Sequence, residues 1–142
     1  MLEFQTEAPD LVGARCAGVL AQEFWHAGER VSPANVLFLG VESPEGPAWH
    51  RIVLDSGLMF WRVERAPSLP RTDDDSPQYG QHPVVDLGAR HGFIGRRIAA
   101  VRVIETADAD ELLLEFEGAP TLALRDVHNQ EATDLEIRPP AA

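Results

Sequence analysis

The sequence predicts a mainly β protein, a duplicated antiparallel meander forming a sandwich or curved sheet with few or short helices. Three observations carry that expectation. The first is an internal echo, in which residues 11–19 (LVGARCAGV) align with residues 93–101 (FIGRRIAAV) at a constant offset of 82. The shared pattern is apolar, apolar, Gly, x, Arg, apolar, small, small, Val. The second is that each copy is followed by three apolar or alternating runs in the same order. These are 35–41 (NVLFLGV), 50–55 (HRIVLD) and 58–63 (LMFWRV) after the first, and 111–116 (ELLLEF), 121–126 (TLALRD) and 133–137 (TDLEI) after the second. The third is that residues with turn chemistry separate the runs. Four elements repeated in one order point to duplication of a four-strand module.

Taken in chain order, residues 11–24 are ambiguous on their own. Val12, Cys16, Val19, Leu20 and Phe24 have helical spacing, which leaves an amphipathic helix open for this segment. Its counterpart, 97–105 (RIAAVRVIE), is β-branched and suits a strand, so both copies are read as strands. Gly13 and Gly95 then mark positions of positive φ or close backbone approach. Ser43-Pro44-Glu45-Gly46-Pro47 and Glu117-Gly118-Ala119-Pro120 read as turns, and Asp55-Ser56-Gly57 as a compact hairpin. In 58–63, Met59, Trp61 and Val63 face one way and Leu58, Phe60 and Arg62 the other. Residues 66–83, with consecutive Asp73-Asp74-Asp75, form a Pro/Asp-rich loop between halves spanning about 11–65 and 84–138. A short strand at 83–87 (PVVDL) and a turn at 88–92 lead into the second copy.

At 142 residues and 15.6 kDa the chain fits a single domain, residues 1–142. A net charge of −11, from 12 basic and 23 acidic side chains, argues against nucleic acid or an anionic membrane as partner, because both need clustered cations. No run of 18 apolar residues occurs and the first ten residues are not a basic leader; a cytoplasmic location is expected. Every cation is arginine, a codon bias that points to a GC-rich bacterial genome, and the twelve read as scattered, without forming a patch.

The motifs of catalysis are missing from the sequence. His26, His50, His82, His91 and His128 show no metal-ligand spacing, and the single cysteine, Cys16, has no partner for a disulfide or thiolate cluster. Cys16 aligns with Ile98, which makes it an inert core filler. Asp73-Asp74-Asp75 lacks the alternate spacing of a calcium loop. Ser56 sits in a turn and not in a nucleophile elbow. Gly88, Gly92 and Gly95 precede a strand where a phosphate cradle needs a helix. No cofactor, metal or catalytic residue is assigned.

Two features remain. Residues 105–138 contain ten acids against two arginines, which places −8 of the net −11 in that window. Strand alternation puts Glu111, Leu113 and Glu115 on one face, so an acidic ridge is expected to dock a cationic protein. Its candidate residues are Asp108, Asp110, Glu111, Glu115, Glu117, Glu131, Asp134 and Glu136. The other feature is that all three tryptophans lie in the first half, two beside histidines. Trp25, His26, Trp49, His50 and Trp61 either fill the core or line a small-ligand pocket between the halves.

The segments Val85-Asp86-Leu87-Gly88, Phe93-Ile94-Gly95-Arg96-Arg97-Ile98, Leu112-Leu113-Leu114-Glu115-Phe116 and Leu122-Ala123-Leu124 resemble small bacterial β-rich immunity proteins. Those proteins neutralise toxins of contact-dependent inhibition and polymorphic toxin systems. The resemblance covers roughly the last 60 residues and implies a β fold and a cognate toxin as partner; no residue role comes with it. The function expected is therefore noncatalytic: an acidic immunity- or antitoxin-type inhibitor of a basic toxin domain. The alternatives are a small-ligand or enzymatic domain with a pocket between the halves, and a structural homo-oligomeric module, such as a homodimer joined through β edges.

Overall fold

In the computed structural model, residues 3–4, 9–55, 57–69, 80–130 and 132–140 are described. The strands are β1 (Glu3–Phe4), β2 (Cys16–His26), β3 (Glu29–Val41), β4 (Ala48–Asp55), β5 (Leu58–Glu64), β6 (Val84–Asp86), β7 (Ile98–Glu105), β8 (Ala109–Phe116), β9 (Thr121–Val127) and β10 (Thr133–Arg138). One short helix, α1 (Leu87–His91), sits between β6 and β7. They form a six-stranded sheet of order β1-β5-β4-β3-β2-β6 and a four-stranded sheet of order β10-β9-β8-β7. The meanders β2–β5 and β7–β10 thus have the same order and direction, and only β1, parallel to β5, departs from antiparallel pairing. The protein is mainly β, two packed sheets in a sandwich, as the sequence predicts.

Alternation along each strand supplies the inner faces. From the first sheet come Val19, Ala21, Leu37, Leu39, Ile52, Leu54, Met59 and Trp61, and from the second Ile98, Leu112, Leu114, Phe116, Leu122 and Leu124. Phe93 enters from the loop before β7 and stacks on Phe116, ring centroids 4.5 Å apart. Burial of this continuous apolar layer is the main force joining the sheets.

The segment 11–24 resolves to strand from Cys16 onward, and the helical spacing has a physical cause. The register shift between Cys16 and Gly18 places an extra residue in β2, while those on either side of Phe24 place theirs in β3. A bulge slips the two-residue period by one, which imitates helical spacing. At 84–86 the strand is present but pairs with β2, so it extends the first sheet instead of opening the second half. The turn expected at 88–92 is α1, whose first turn is capped by the Asp86 carboxylate accepting from Ala89 N at 3.0 Å. Gly92 ends it in the left-handed conformation. Much of the expected 66–83 loop, with its aspartate triplet, lies outside the described residues, as does Ser56.

The two echo segments meet each other in a clasp. Gly13 N donates to Ile98 O and Gly95 N to Cys16 O, both at 2.8 Å, and Cys16 N donates to Arg96 O and Ile98 N to Ala14 O, again at 2.8 Å. Within each pair, adding 82 to one position and subtracting it from the other turns one bond into its mate. Arg15 Nη1 donates to Gly95 O at 3.0 Å while Arg97 Nη1 donates to Gly13 O at 3.1 Å. Arg15 and Arg97 form an antiparallel bridge, so the copies meet about an approximate two-fold axis. Gly13 and Gly95 have φ of +87° and +83°, a conformation that costs glycine little and other residues more. At the opposite end of the sandwich, Ser32 Oγ donates to Thr133 O at 2.8 Å, Thr133 Oγ1 to Leu54 O, and Gly57 N to Asp126 Oδ2 at 3.0 Å.

Candidate functional site

Glu111, Leu113 and Glu115 do share the outer face of the small sheet, but arginines from neighbouring strands meet the two carboxylates there. Arg102 Nε on β7 lies 2.8 Å from Glu115, and Glu111 sits between Arg125 Nε at 3.2 Å and Arg138 Nη2 at 2.8 Å. Arg138 also reaches Glu136 at 2.8 Å. The hydrogen bond from Arg138 holds the Glu111 carboxyl below the usual carboxylate range, against partial burial. This face is a cross-strand charge network and not a bare acidic ridge. A reading of β8 alone could not place Arg102 or Arg138 beside it.

Asp110 is a correction. It points inward with Leu112 and Leu114, is 2% exposed, and has Asp126, 5% exposed, as its register neighbour on β9. Asp126 accepts from Gly57 N across the sandwich. Asp110 Oδ2 lies 3.3 Å from His128 Nε2, and His128 Nδ1 lies 3.0 Å from Ala107 O. A carbonyl can only accept, so Nδ1 carries the hydrogen. A neutral ring would then turn the Nε2 lone pair toward the carboxylate. Hydrogen bonding to Ala107 O, followed by that to Asp110, accordingly raises the His128 pKa above 6.5.

The remaining candidates are dispersed. Asp108, in the β7–β8 turn, and Asp134, at the start of β10, are exposed at the end of the sandwich away from the clasp. Glu105 joins them, and among the described residues none of the three has a cation within ion-pair distance. Asp55, in the β4–β5 turn, is exposed at the same end. Glu117 is exposed at the clasp end, and Glu131 lies outside the described residues. Three hairpin turns thus gather acids at one end, a grouping that strand pairing creates and that linear sequence conceals.

The tryptophans and histidines do not converge on one pocket. His50 and Trp61 meet in the core of the large sheet, where Trp61 Nε1 donates to His50 Nδ1 at 2.8 Å and the rings cross at 75°. Burial lowers the His50 pKa, and the bond to Nδ1 requires the neutral ring. Trp49, one residue away, faces the other side, its ring seated on Gly18 and Gly40. Trp25 Nε1 donates to Glu23 Oε1 at 3.0 Å near the β2–β3 turn, and His26 is exposed beside it. A separate cavity of about 310 Å³ opens at the far end, with Phe24, Ser32, Asp55, His82 and Thr133 in its wall and none of the tryptophans. Cys16 is buried, and desolvation pushes its thiol up to about 11, which suits an inert core position.

Among the described residues no group of three or more His, Cys, Asp or Glu side chains is arranged to hold a metal ion, and no helix is long and apolar enough to cross a membrane. The chain matches no known protein family, no curated protein and no solved structure.

Proposed function

We propose that the protein is a noncatalytic binding protein whose acidic end docks a cationic protein domain, in the manner of an immunity-type inhibitor covering a basic toxin. The observation that supports this most is the sorting of the acids by partner. Glu111, Glu115 and Glu136 are satisfied by arginines on the outer face, and docking there would have to break those pairs. Glu105 at the end of β7, Asp108 in the turn after it and Asp134 near the start of β10 are exposed, and among the described residues none has a cation within ion-pair distance, so a cationic partner can approach them with no pair to displace. Such a cluster steers a basic partner and raises the association rate in a salt-dependent way. The toxin class rests on the sequence resemblance.

The test is affinity for the basic domain encoded next to this chain, at low and moderate salt, with the wild type and with Asp108→Lys/Asp134→Lys. Tight binding that weakens about tenfold or more with salt and with charge reversal is expected. An absence of binding by any adjacent basic protein, or binding indifferent to both changes, would overturn the proposal.

A further inference from the structure

The clasp end gathers three of the arginines that look scattered in the sequence. Arg15, Arg96 and Arg97 converge with Gly95, Glu117 and Gly118 on an open depression of about 300 Å³. Two of the guanidinium groups are held in place, Arg15 by Gly95 O and Arg97 by Gly13 O. Each of these contacts uses one of five N–H donors; Arg15 Nε also faces Glu42, and the remaining donors are left for a ligand. Arg96 Nη1 lies so close to Gly118 that a Cβ there would stand 3.0 Å away. The bare turn thereby makes room for the guanidinium.

The approximate two-fold supplies an internal control. In the first copy the loop reads Gly13-Ala14-Arg15, and Arg15 pairs with Glu42 at 3.6 Å. In the second it reads Gly95-Arg96-Arg97, and among the described residues neither arginine has a carboxylate within ion-pair distance. Glu117 holds the position matching Glu42, since Glu42 N donates to Arg15 O and Glu117 N to Arg97 O. Among the described residues it nonetheless makes no ion pair. The same backbone is therefore self-neutralised in one copy and carries two uncompensated cations in the other. Clasp formation cannot require Arg96, because Ala14 makes the matching turn.

We propose that Arg96 and Arg97, with Arg15 across the axis, form a binding site for a single phosphoryl group, either free phosphate or a small phosphate monoester. Three guanidinium forks around a small depression suit a tetrahedral dianion better than a carboxylate, which one fork satisfies. The flanking Glu42 and Glu117, and the net charge of −11, repel an extended polyanion such as nucleic acid. The site lies at the opposite end from the acidic turns and is independent of the docking proposed there.

The test follows the Arg96 and Arg97 side-chain NMR signals of the full chain during titration with inorganic phosphate, glycerol phosphate or acetate. Saturable shifts with either phosphoryl compound are expected at millimolar concentration or below, with no saturation by acetate. Relative affinity for phosphate and its glycerol ester then assigns the source. Arg96→Ala, which installs the first copy's residue, should keep the fold and weaken phosphate binding about tenfold or more, roughly one lost charge-assisted contact. Arg102→Gln, on the outer face, should change nothing. Non-saturating shifts, equal response to acetate, or unchanged affinity in Arg96→Ala would overturn the proposal.

Discussion

The two meanders share a backbone and differ in nearly everything placed on it. Both begin with a left-handed glycine and both carry a register shift after the first strand residue, between Cys16 and Gly18 in one and Ile98 and Ala100 in the other. Both then run four antiparallel strands in the same order. At matching inward positions the first meander pairs His50 with Trp61, where the second has Leu122 and Leu135. At matching outward positions the first sets Trp49 on Gly18 and Gly40, and the second has Thr121 beside Glu115 and Ala100. The difference teaches that glycines, bulges and turns specify the frame. Volume is conserved across neighbouring positions and not at each one, so a large ring is accepted where its neighbours shrink.

The largest test of that difference compares Trp61→Ala with Leu135→Ala. Trp61 is 3% exposed and donates to His50. Its truncation both opens a cavity and leaves Nδ1 unpaired, at about 3–5 kcal/mol. Leu135 is only partly buried against the same core, and its loss is expected near the low end of the aliphatic range, about 2 kcal/mol. Urea unfolding of both variants measures the gap. Equal losses would show that the polar pair adds nothing beyond the volume it fills.

A smaller effect probes reciprocal volume directly. A Cβ at Gly18 would stand 2.8 Å from the Trp49 ring, so Gly18→Ala should cost about 1–3 kcal/mol by overpacking. In a Trp49→Thr background, which copies the second meander, the same substitution should cost much less. The second meander already carries Ala100 and Thr121 at these places. A double-mutant cycle of denaturation free energies reads the coupling, and an additive result would separate the ring from the glycine bed.

How much of this was legible in the sequence depends on the range of the signal. The echo, the turn residues and the alternation of 58–63 and 111–116 are local, and they predicted the meanders, the common face of Met59 and Trp61, and the outer face of Glu111 and Glu115. The short strand at 84–86 was legible but its pairing with β2 was not, and β1, of two residues, is too short to show a period; both have distant partners. The acidic window was visible, but its division into paired, buried and exposed members was not, because that depends on which arginine lies across the sheet. Arg15 and Arg97 are 82 positions apart and in contact only through the clasp. Composition therefore makes them look scattered, while topology makes them one site.

The finest contrast between the meanders is in pH dependence, because each holds one perturbed histidine and the two have opposite signs. His50 is lowered from 6.5 by burial. The folded protein resists its protonation while the unfolded chain does not, and stability from this site is full above pH 6.5 and lost as pH falls below it. His128 is raised above 6.5 by Ala107 O and Asp110. Its contribution is full below pH 6.5 and is lost as pH rises through the higher folded value. The two slopes lie on either side of pH 6.5 and together place a maximum in the wild-type profile of Tm against pH near that value. His128→Gln removes one of them, so the variant should lose more stability, relative to wild type, at pH 5.5 than at pH 8. Thermal melts across that range check the sign. A deficit that grows toward alkaline pH would overturn the sign assigned to His128.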